Sequence, residues 1–389
     1  MLSFTPDSEM RIGKIIFILF VAMIYNMATE DIYMPFSIQV EAANVKKNNK
    51  FRKTSAKKKR TTRRAVIKTV MNNPQTGEWI HRGKKNIVIH KDTAGVVRAM
   101  APFSMHASVG KEYASVINLY AKSLKEESTR VYSLIAPSQG EFYMPEGISD
   151  NLKQAPVIRK FSDYLDASVT PIFVCDSLMN HTGEEIYNRT DHHWSPLGAY
   201  YAANVVANRL GSRFTPISEY TPDTVRNYVG TMYKLSGDSE ILKYPEEFIY
   251  YITPGDYYAE FIDYTVKNQT TVGESACHIA PIFRKFHDGS SAAYSTYLGG
   301  DNHTVNIVNK NGNTGRRVLI VKDSFGNALA PFLINSFDRI YVVDFRYFPH
   351  NLLTYIRKNK ITDLIFLNSI ELAFAPKTSE RLRYLLTCK

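Results

Sequence analysis

The stretch Arg317-Val318-Leu319-Ile320-Val321-Lys322-Asp323-Ser324-Phe325-Gly326-Asn327 joins a short apolar run to a serine and small residues. The apolar run predicts a buried strand, and the residues after it predict the start of a helix. The sequence then predicts a helix over 325–336, a strand over 339–343, a helix over 350–358 and a strand over 362–367. Strands that alternate with helices favour an α/β fold, a parallel sheet with helices on both faces.

The same alternation is found earlier in the chain. The sequence predicts strands over 87–90, 96–100, 131–137 and 169–174, and helices over 106–124, 148–165 and 195–210. The middle, near 215–312, is rich in Tyr, Thr and Gly. We interpret it as a β-rich insertion that forms a wall of the substrate cleft. Functional sites of parallel sheets lie at the carboxyl ends of the strands, where Pro137, Asp323 and Asp344 are expected.

A second informative stretch is Thr190-Asp191-His192-His193-Trp194-Ser195-Pro196, in which Ser195 and Pro196 suit the start of a helix. In an extended segment, side chains two residues apart share a face. Asp191 and His193 therefore converge, while His192 points away. A carboxylate beside an imidazole is the base half of a nucleophilic triad, and Ser324 is the candidate nucleophile.

Each of these residues also has a plainer interpretation. Ser324 suits the N-cap of a helix, Asp191 suits a cap or turn, and His193 suits a packed core. A metal site built from Asp191, His192 and His193 is disfavoured, because neighbouring side chains on an extended chain point apart and zinc needs three or four convergent ligands. We therefore expect no metal and no cofactor.

These motifs resemble the DHHW family and, more distantly, the SGNH-like alginate O-acetyltransferases. The resemblance rests on residues 187–190, 191–194, 299–303, 322–325 and 343–347, and it spans roughly residues 85–385. It implies an SGNH-like fold in which Asp191 and His193 act with Ser324. It also implies transfer or removal of O-acetyl groups on carbohydrates through a Ser acyl-enzyme.

Several other residues are candidates for oxyanion or substrate binding. A backbone N–H at Ser324 would point at a developing oxyanion. Asn302 suits an oxyanion amide, with Gly300 allowing close backbone approach, although the same residues suit a turn. The remaining candidates each have a packing or surface alternative: Arg346 and Tyr347 after a strand, Tyr143 at the cleft, and Trp194 stacked on a sugar ring.

The net charge of +11 is concentrated in one segment. Residues 46–68 contain twelve Lys and Arg residues and no acid, so the rest of the chain is nearly neutral. Such a run suits a solvated linker, and it also suits binding to anionic lipids, acidic glycans or nucleic acid. Nucleic acid is disfavoured because the run lacks interleaved aromatic residues. The three cysteines, Cys175, Cys277 and Cys388, cannot all pair with one another.

The chain is thus divided into a signal peptide or membrane anchor over 1–30, a basic linker over 31–84 and an SGNH-like catalytic domain over 85–389. The apolar run at 15–28 behind Arg11 and Lys14 favours export to the cell envelope, periplasmic or membrane-anchored. We expect an exported acyltransferase that acts on hydroxyls of a cell-envelope polysaccharide or exopolysaccharide. The alternatives are a carbohydrate acetylesterase and a non-catalytic glycan-binding protein of the envelope.

Overall fold

A computed structural model describes residues 71–73 and 77–388. The expected signal or anchor at 1–30 and the basic run at 46–68 lie outside these residues. Within the described part of the chain, none of the helices is both long and apolar enough to span a bilayer.

A four-stranded antiparallel sheet precedes the main body. It consists of β1 (Met71–Asn73), β2 (Glu78–Arg82), β3 (Val88–Lys91) and β4 (Val97–Met100). Folded structure therefore starts before Lys85, inside the segment expected to be a linker. Apolar residues of β3 and β4 pack against Met232 and Leu235, so this N-terminal sheet is joined to the body by a small core of its own.

Eleven further strands follow among the described residues: β5 (Arg130–Ala136), β6 (Val169–Ile172), β7 (Thr221–Tyr228), β8 (Glu246–Ile252), β9 (Tyr257–Lys267), β10 (Thr270–Glu274), β11 (His278–Ile279), β12 (His303–Asn309), β13 (Arg317–Lys322), β14 (Arg339–Asp344) and β15 (Asp363–Ser369). The main sheet has the order β10-β9-β12-β14-β13-β15-β5-β6, with β11 also paired to β9. Strands β14, β13, β15, β5 and β6 are parallel to one another. This confirms the expected α/β fold, with β13 near the centre.

Ten α-helices lie in the described residues: α1 (Lys111–Ser123), α2 (Gly140–Tyr143), α3 (Gln154–Ser162), α4 (Cys175–Met179), α5 (Pro196–Arg209), α6 (Thr231–Ser236), α7 (Phe325–Leu329), α8 (Leu352–Lys358), α9 (Ile370–Ala373) and α10 (Pro376–Thr387). The helix expected over 148–165 is shorter, as α3 begins only at Gln154. The helix expected over 325–336 is α7 followed by a 3₁₀ segment.

Alternate residues of β13 point to opposite layers. Val318 and Ile320 belong to one core with α5 and α7, while Leu319 and Val321 belong to a second core with α1, α8 and α10. A strand whose two faces are both covered must be apolar at every position, which explains the continuous apolar run in the sequence.

The segment near 215–312 is rich in β-structure, as expected, but most of it is not a separate insertion. Its strands β9, β10, β11 and β12 extend the main sheet with antiparallel pairing, and only β7 and β8 form a separate pair. Met232 and Leu235 of α6 line the cavity described below, so one part of the segment is a cleft wall.

Candidate active site

Ser324 lies in a tight turn between the central strand β13 and α7. The turn is fixed by Asp323, whose Oδ1 accepts a hydrogen bond from the N–H of Phe325 at 3.0 Å and whose Oδ2 accepts one from the N–H of Ser369 at 2.6 Å. A Cβ on Gly326 would lie 2.5 Å from the Cβ of Lys322, so the helix can approach the strand only without a side chain there. Ser324 is thus held at the carboxyl end of the sheet.

His193 and Asp191 reach Ser324 from a distant part of the sequence. The Oγ of Ser324 lies 2.7 Å from Nε2 of His193, and Nδ1 of His193 lies 2.6 Å from Oδ1 of Asp191. Because a carboxylate only accepts, Nδ1 carries the proton and Nε2 is free to accept from the serine hydroxyl. The three residues form the hydrogen-bonded chain expected from the sequence, with the base oriented to take the serine proton.

The Asp191 carboxylate is held on its other side by Thr231, the first residue of α6. Its Oδ2 accepts from the N–H of Thr231 at 2.8 Å and from the Thr231 hydroxyl at 2.7 Å. Burial by itself would raise the pKa of Asp191. The neighbouring imidazoles of His193 and His192, with these hydrogen bonds, hold that pKa well below its usual range. Asp191 therefore stays ionised and can orient His193.

Tyr294 supports both the base and the nucleophile. Its ring stacks on the imidazole of His193 with centroids 3.7 Å apart and planes 5° from parallel, and its hydroxyl donates to the carbonyl of Ser324 at 3.1 Å. Sequence reasoning did not identify this residue, because one tyrosine among the 25 in the chain has no distinguishing pattern.

Glu246 fixes the backbone just before Asp191. Its carboxylate accepts from the N–H groups of Arg189 and Thr190 at 2.7 Å each, and from the Thr190 hydroxyl. The same hydroxyl accepts from the N–H of Gly230 at 3.0 Å. Glu246 was not identified from the sequence, because the contact joins residues more than 50 positions apart.

Gly230 is packed directly against the Asp191 side chain. A Cβ at this position would overlap the Cβ of Asp191 and lie 2.6 Å from its Oδ2. We expect Gly230→Ala to displace the carboxylate and lower turnover of an activated ester by about 10²-fold, since a misplacement of about 1 Å in an active site costs that much. Steady-state kinetics will measure the loss. Gly183→Ala is the matched control, because its added Cβ meets nothing within 4 Å; equal activity of the two variants would contradict this role for Gly230.

His192 does not point away from His193 as expected: the centroids of the two rings are 3.7 Å apart, because residues 189–193 bend and are not an extended segment. Its Nδ1 donates to the Thr231 hydroxyl at 2.7 Å, and burial, with His193 nearby, lowers its pKa to about 3. Asp191, His192 and His193 bring three potential ligand atoms within 4.8 Å of one another. The Nδ1 of His193 is hydrogen-bonded to the Asp191 carboxylate, and the Nδ1 of His192 is hydrogen-bonded to Thr231. Binding a metal ion through these atoms would break the hydrogen-bonded chain to Ser324.

A buried network of charges lies behind the serine turn. The ammonium of Lys322 contacts Asp301 at 3.1 Å and Asp344 at 2.9 Å, and Arg346 contacts the same two carboxylates. Asp301 also accepts from the side chain of Asn327 in α7 at 2.7 Å. The network ties the loop before β12 to the ends of β13 and β14, and removing one partner would leave a buried charge uncompensated.

A cavity of about 470 Å³ opens beside Ser324. Its polar lining includes Ser138, Gln139, His192, Asp323, Ser324, Ser369 and Glu371, and its apolar lining includes Ile87, Ala101, Pro102, Met105, Met232, Leu235, Phe325 and Leu372. The N-terminal sheet and the segment after it supply much of the apolar wall. The volume is in the range of small-molecule sites, so this cavity is the candidate substrate site.

Trp194 and Tyr143 do not lie in this cavity. Trp194 is fully buried and its indole N–H donates to the carbonyl of Phe325 at 3.1 Å, so it packs the serine turn and cannot stack on a sugar. The hydroxyl of Tyr143 donates to the carbonyls of Thr182 and Glu184 at 3.4 and 3.3 Å. Both side chains therefore hold protein segments in place.

The other expected substrate contacts also lie outside the cavity lining. Arg346 is engaged by carboxylates, and Tyr347 lies next to it with the guanidinium 5.3 Å from its ring centroid. The amide of Asn302 donates to the carbonyl of Tyr264 at 3.0 Å. Gly300 has φ +123, a conformation that favours glycine, so the turn alternative describes this loop.

Glu371 is a carboxyl group of the cavity that the sequence did not indicate. Burial, with Asp323 nearby, raises its pKa from 4.5 to about 7. Because the folded-state pKa is above the unfolded value, ionisation between about pH 4.5 and pH 7 costs folding stability. We expect Glu371→Gln to raise the melting temperature more at pH 8 than at pH 5. Thermal unfolding at both pH values checks this, and an equal change at both would contradict the raised pKa.

The fold and the strand–serine–helix turn define an SGNH-like α/β protein. The family model described as DHHW protein matches residues 92–343, which is more than half of the chain. The crystal structure of a DHHW family protein from Eubacterium siraeum DSM 15702 is 32% identical, with 82% of this chain and 99% of that chain covered and a TM-score of 0.67. The chain therefore belongs to the DHHW family.

A more distant structure shares the fold. PatB1 from Bacillus cereus is 21% identical, with 76% of this chain and 99% of that chain covered and a TM-score of 0.59. The O-acetyltransferase domain of AlgJ from Pseudomonas putida is 11% identical, with 78% and 98% covered, and its TM-score of 0.43 supports no conclusion by itself. A comparison with curated proteins gave no match.

Proposed function

We propose that this protein is an exported acyltransferase that moves an acetyl group onto a polysaccharide hydroxyl through an acyl-enzyme on Ser324. The observation that carries the proposal is the hydrogen-bonded chain from Asp191 through His193 to Ser324 beside a cavity. The choice of acetyl and carbohydrate follows the resemblance of the sequence motifs to those of alginate O-acetyltransferases.

In the first half-reaction the Oγ of Ser324 attacks the carbonyl carbon of the acyl donor while Nε2 of His193 takes the hydroxyl proton. The donor's leaving group departs with that proton, and the acetyl group remains as an ester on Ser324. In the second half-reaction an acceptor hydroxyl attacks this ester, and His193 takes its proton and returns it to Oγ. The imidazolium that forms in each half is stabilised by Asp191, which stays ionised.

The carbonyl oxygen becomes negatively charged in both tetrahedral intermediates. The N–H groups of Phe325 and Gly326 already donate to Asp323, which leaves the N–H of Ser324 as the candidate backbone donor at this turn. A donor placed for the intermediate contributes strongly to acyl transfer.

An activated acetyl ester tests the chemistry directly. We expect wild-type protein to gain one acetyl group on Ser324, detected by mass spectrometry, and an added oligosaccharide to become acetylated. Acetate release at a rate that the oligosaccharide does not change would support the acetylesterase alternative. The absence of acyl-enzyme with every activated ester would overturn the Ser-centred mechanism and favour the non-catalytic glycan-binding alternative.

Export is tested independently of the chemistry. We expect an alkaline phosphatase fused after Lys389 to be active, because the apolar run at 15–28 with its basic flank is typical of a segment that directs export. A fluorescent protein that folds only in the cytosol, fused at the same position, is the matched reporter. A signal from the cytosolic reporter alone would contradict export.

A further inference from the structure

We propose that the cavity beside Ser324 binds the sugar that accepts the acetyl group, and that Glu371 binds hydroxyl groups of that sugar. This inference rests on the proposed acyl transfer. It goes beyond that transfer by assigning a binding residue and a chemical class of acceptor, a pyranoside with free ring hydroxyls.

The hydrogen bonds around Glu371 hold it as an acceptor. Its carboxyl group is hydrogen-bonded by the hydroxyls of Ser138 and Ser369. The Oγ of Ser138 already accepts from the side-chain N–H of Gln154 at 2.8 Å, and the Oγ of Ser369 accepts from the N–H of Leu372 at 3.4 Å. The Ser138 hydroxyl proton is therefore available to Glu371, while the Ser369 hydroxyl is shared between Glu371 and Asp323.

This arrangement leaves acceptor capacity for a bound molecule. A carboxylate has about four lone-pair sites, and the two serine hydroxyls and the N–H of Glu371 itself use at most three of them. The groups that set the pKa of Glu371 are burial, Asp323 and the hydrogen bonds, and none is a basic side chain. Lys85 lines the same cavity but is not among the groups that shift the pKa of Glu371. A partly buried carboxyl that no cation stabilises is costly, and donors from a sugar would satisfy it when the cavity is filled.

The lining of the cavity offers both kinds of contact that a pyranose ring needs. Ile87, Met232 and Leu235 pack together in one apolar cluster, and Glu371, Ser138 and Gln139 are among the polar lining residues. A pyranose presents C–H groups on its faces and hydroxyls around its edge. The apolar cluster suits a ring face and the polar residues suit the hydroxyl edge, with Ser324 in the same lining.

In the transfer step the acceptor hydroxyl forms a new ester bond to the acetyl carbon while the bond from that carbon to the Oγ of Ser324 breaks. The proton of the acceptor passes to Nε2 of His193 and then to Oγ. Glu371 exchanges no proton in this step. It holds other hydroxyls of the same ring, so that the reacting hydroxyl is positioned at the acetyl carbon.

The experiment measures how acetyl-Ser324, formed from p-nitrophenyl acetate, divides between transfer and hydrolysis. The acceptors are methyl β-D-glucopyranoside and its monodeoxy derivatives. We expect the ratio of acetylated glucoside to acetate to fall about tenfold in Glu371→Gln, as for loss of a hydrogen bond to a charged group. With wild-type protein, one monodeoxy acceptor should give a ratio about tenfold lower than that of the parent glucoside. With Glu371→Gln, that acceptor and the parent glucoside should give the same ratio.

Glu247→Gln is the matched control, because Glu247 is an exposed carboxylate on β8. The assignment of this cavity would be overturned if Glu371→Gln gave the wild-type ratio, or if wild-type protein transferred no acetyl group to the glucoside. Neither outcome would contradict the acyl-enzyme on Ser324. Absence of acetyl-Ser324 in wild type would overturn the proposed function as well. If Glu371→Gln does not fold, the monodeoxy series in wild type decides, and equal ratios across that series would overturn the proposal.

Discussion

Ser324→Ala is expected to lower acyl-enzyme formation from an activated acetyl ester by about 10⁵-fold or more, as removal of a nucleophile does in other serine enzymes. The loss is large because Ser324 Oγ is the atom that His193 would deprotonate, at 2.7 Å. The fold should be unaffected, since the turn is held by Asp323 and by backbone groups. Stopped-flow release of p-nitrophenol and intact-protein mass spectrometry measure acyl-enzyme formation, and circular dichroism checks the fold.

Ser108→Ala is the control for this variant, because Ser108 is exposed and lies in a short helix remote in sequence from the triad. It should react as wild type does. If Ser324→Ala reacts as fast as Ser108→Ala, the nucleophile is another group, and the hydrogen bond between Ser324 and His193 is only structural.

Asp191→Asn is expected to cost about 10⁴-fold in turnover, less than the loss of the nucleophile, because the base remains but is poorly oriented. The structure explains why an amide cannot replace this carboxylate. One oxygen of Asp191 accepts from two N–H groups of His193, and the other accepts from two donors of Thr231. Whichever way the amide turns, its NH₂ group faces donors.

If that NH₂ group faces His193, the imidazole must accept at Nδ1 and carry its proton on Nε2, where it cannot deprotonate Ser324. The pH–rate profiles of wild type and variant, measured with the same activated ester, check this. Asp163→Asn is the control, since Asp163 is exposed and forms a surface ion pair with Lys160. Turnover within a few-fold of that control would contradict an orienting role for Asp191.

The sequence was sufficient for the parts of the fold that are encoded locally. The apolar run before Ser324 is continuous because both faces of β13 are buried, and Ser195 with Pro196 begins α5 where a cap and a first-turn proline were expected. Asp191 and His193 converge as expected from their spacing of two residues, although the segment bends and is not extended, which is why His192 lies beside them.

The sequence was a poor guide to contacts between distant segments. Trp194, Tyr143 and Arg346 have side chains that often bind substrates, but here they are used in packing and ion pairing, which depend on what the fold places next to them. Glu371 is the reverse case. Nothing near it in the chain distinguishes it from other glutamates. Only the tertiary structure places it in the cavity lining and buries it beside Asp323, which raises its pKa.

By itself, the sequence determined the family, the α/β alternation and the order of the acid, base and nucleophile, because short motifs and periodic apolar residues carry that information. The tertiary structure alone decided how Thr231, Tyr294 and Glu246 hold the triad and which residues line the cavity. The physical reason is that a hydrogen bond or a cavity wall depends on distance in space. Segments far apart in the chain are brought to that distance only when the sheet and its two cores form.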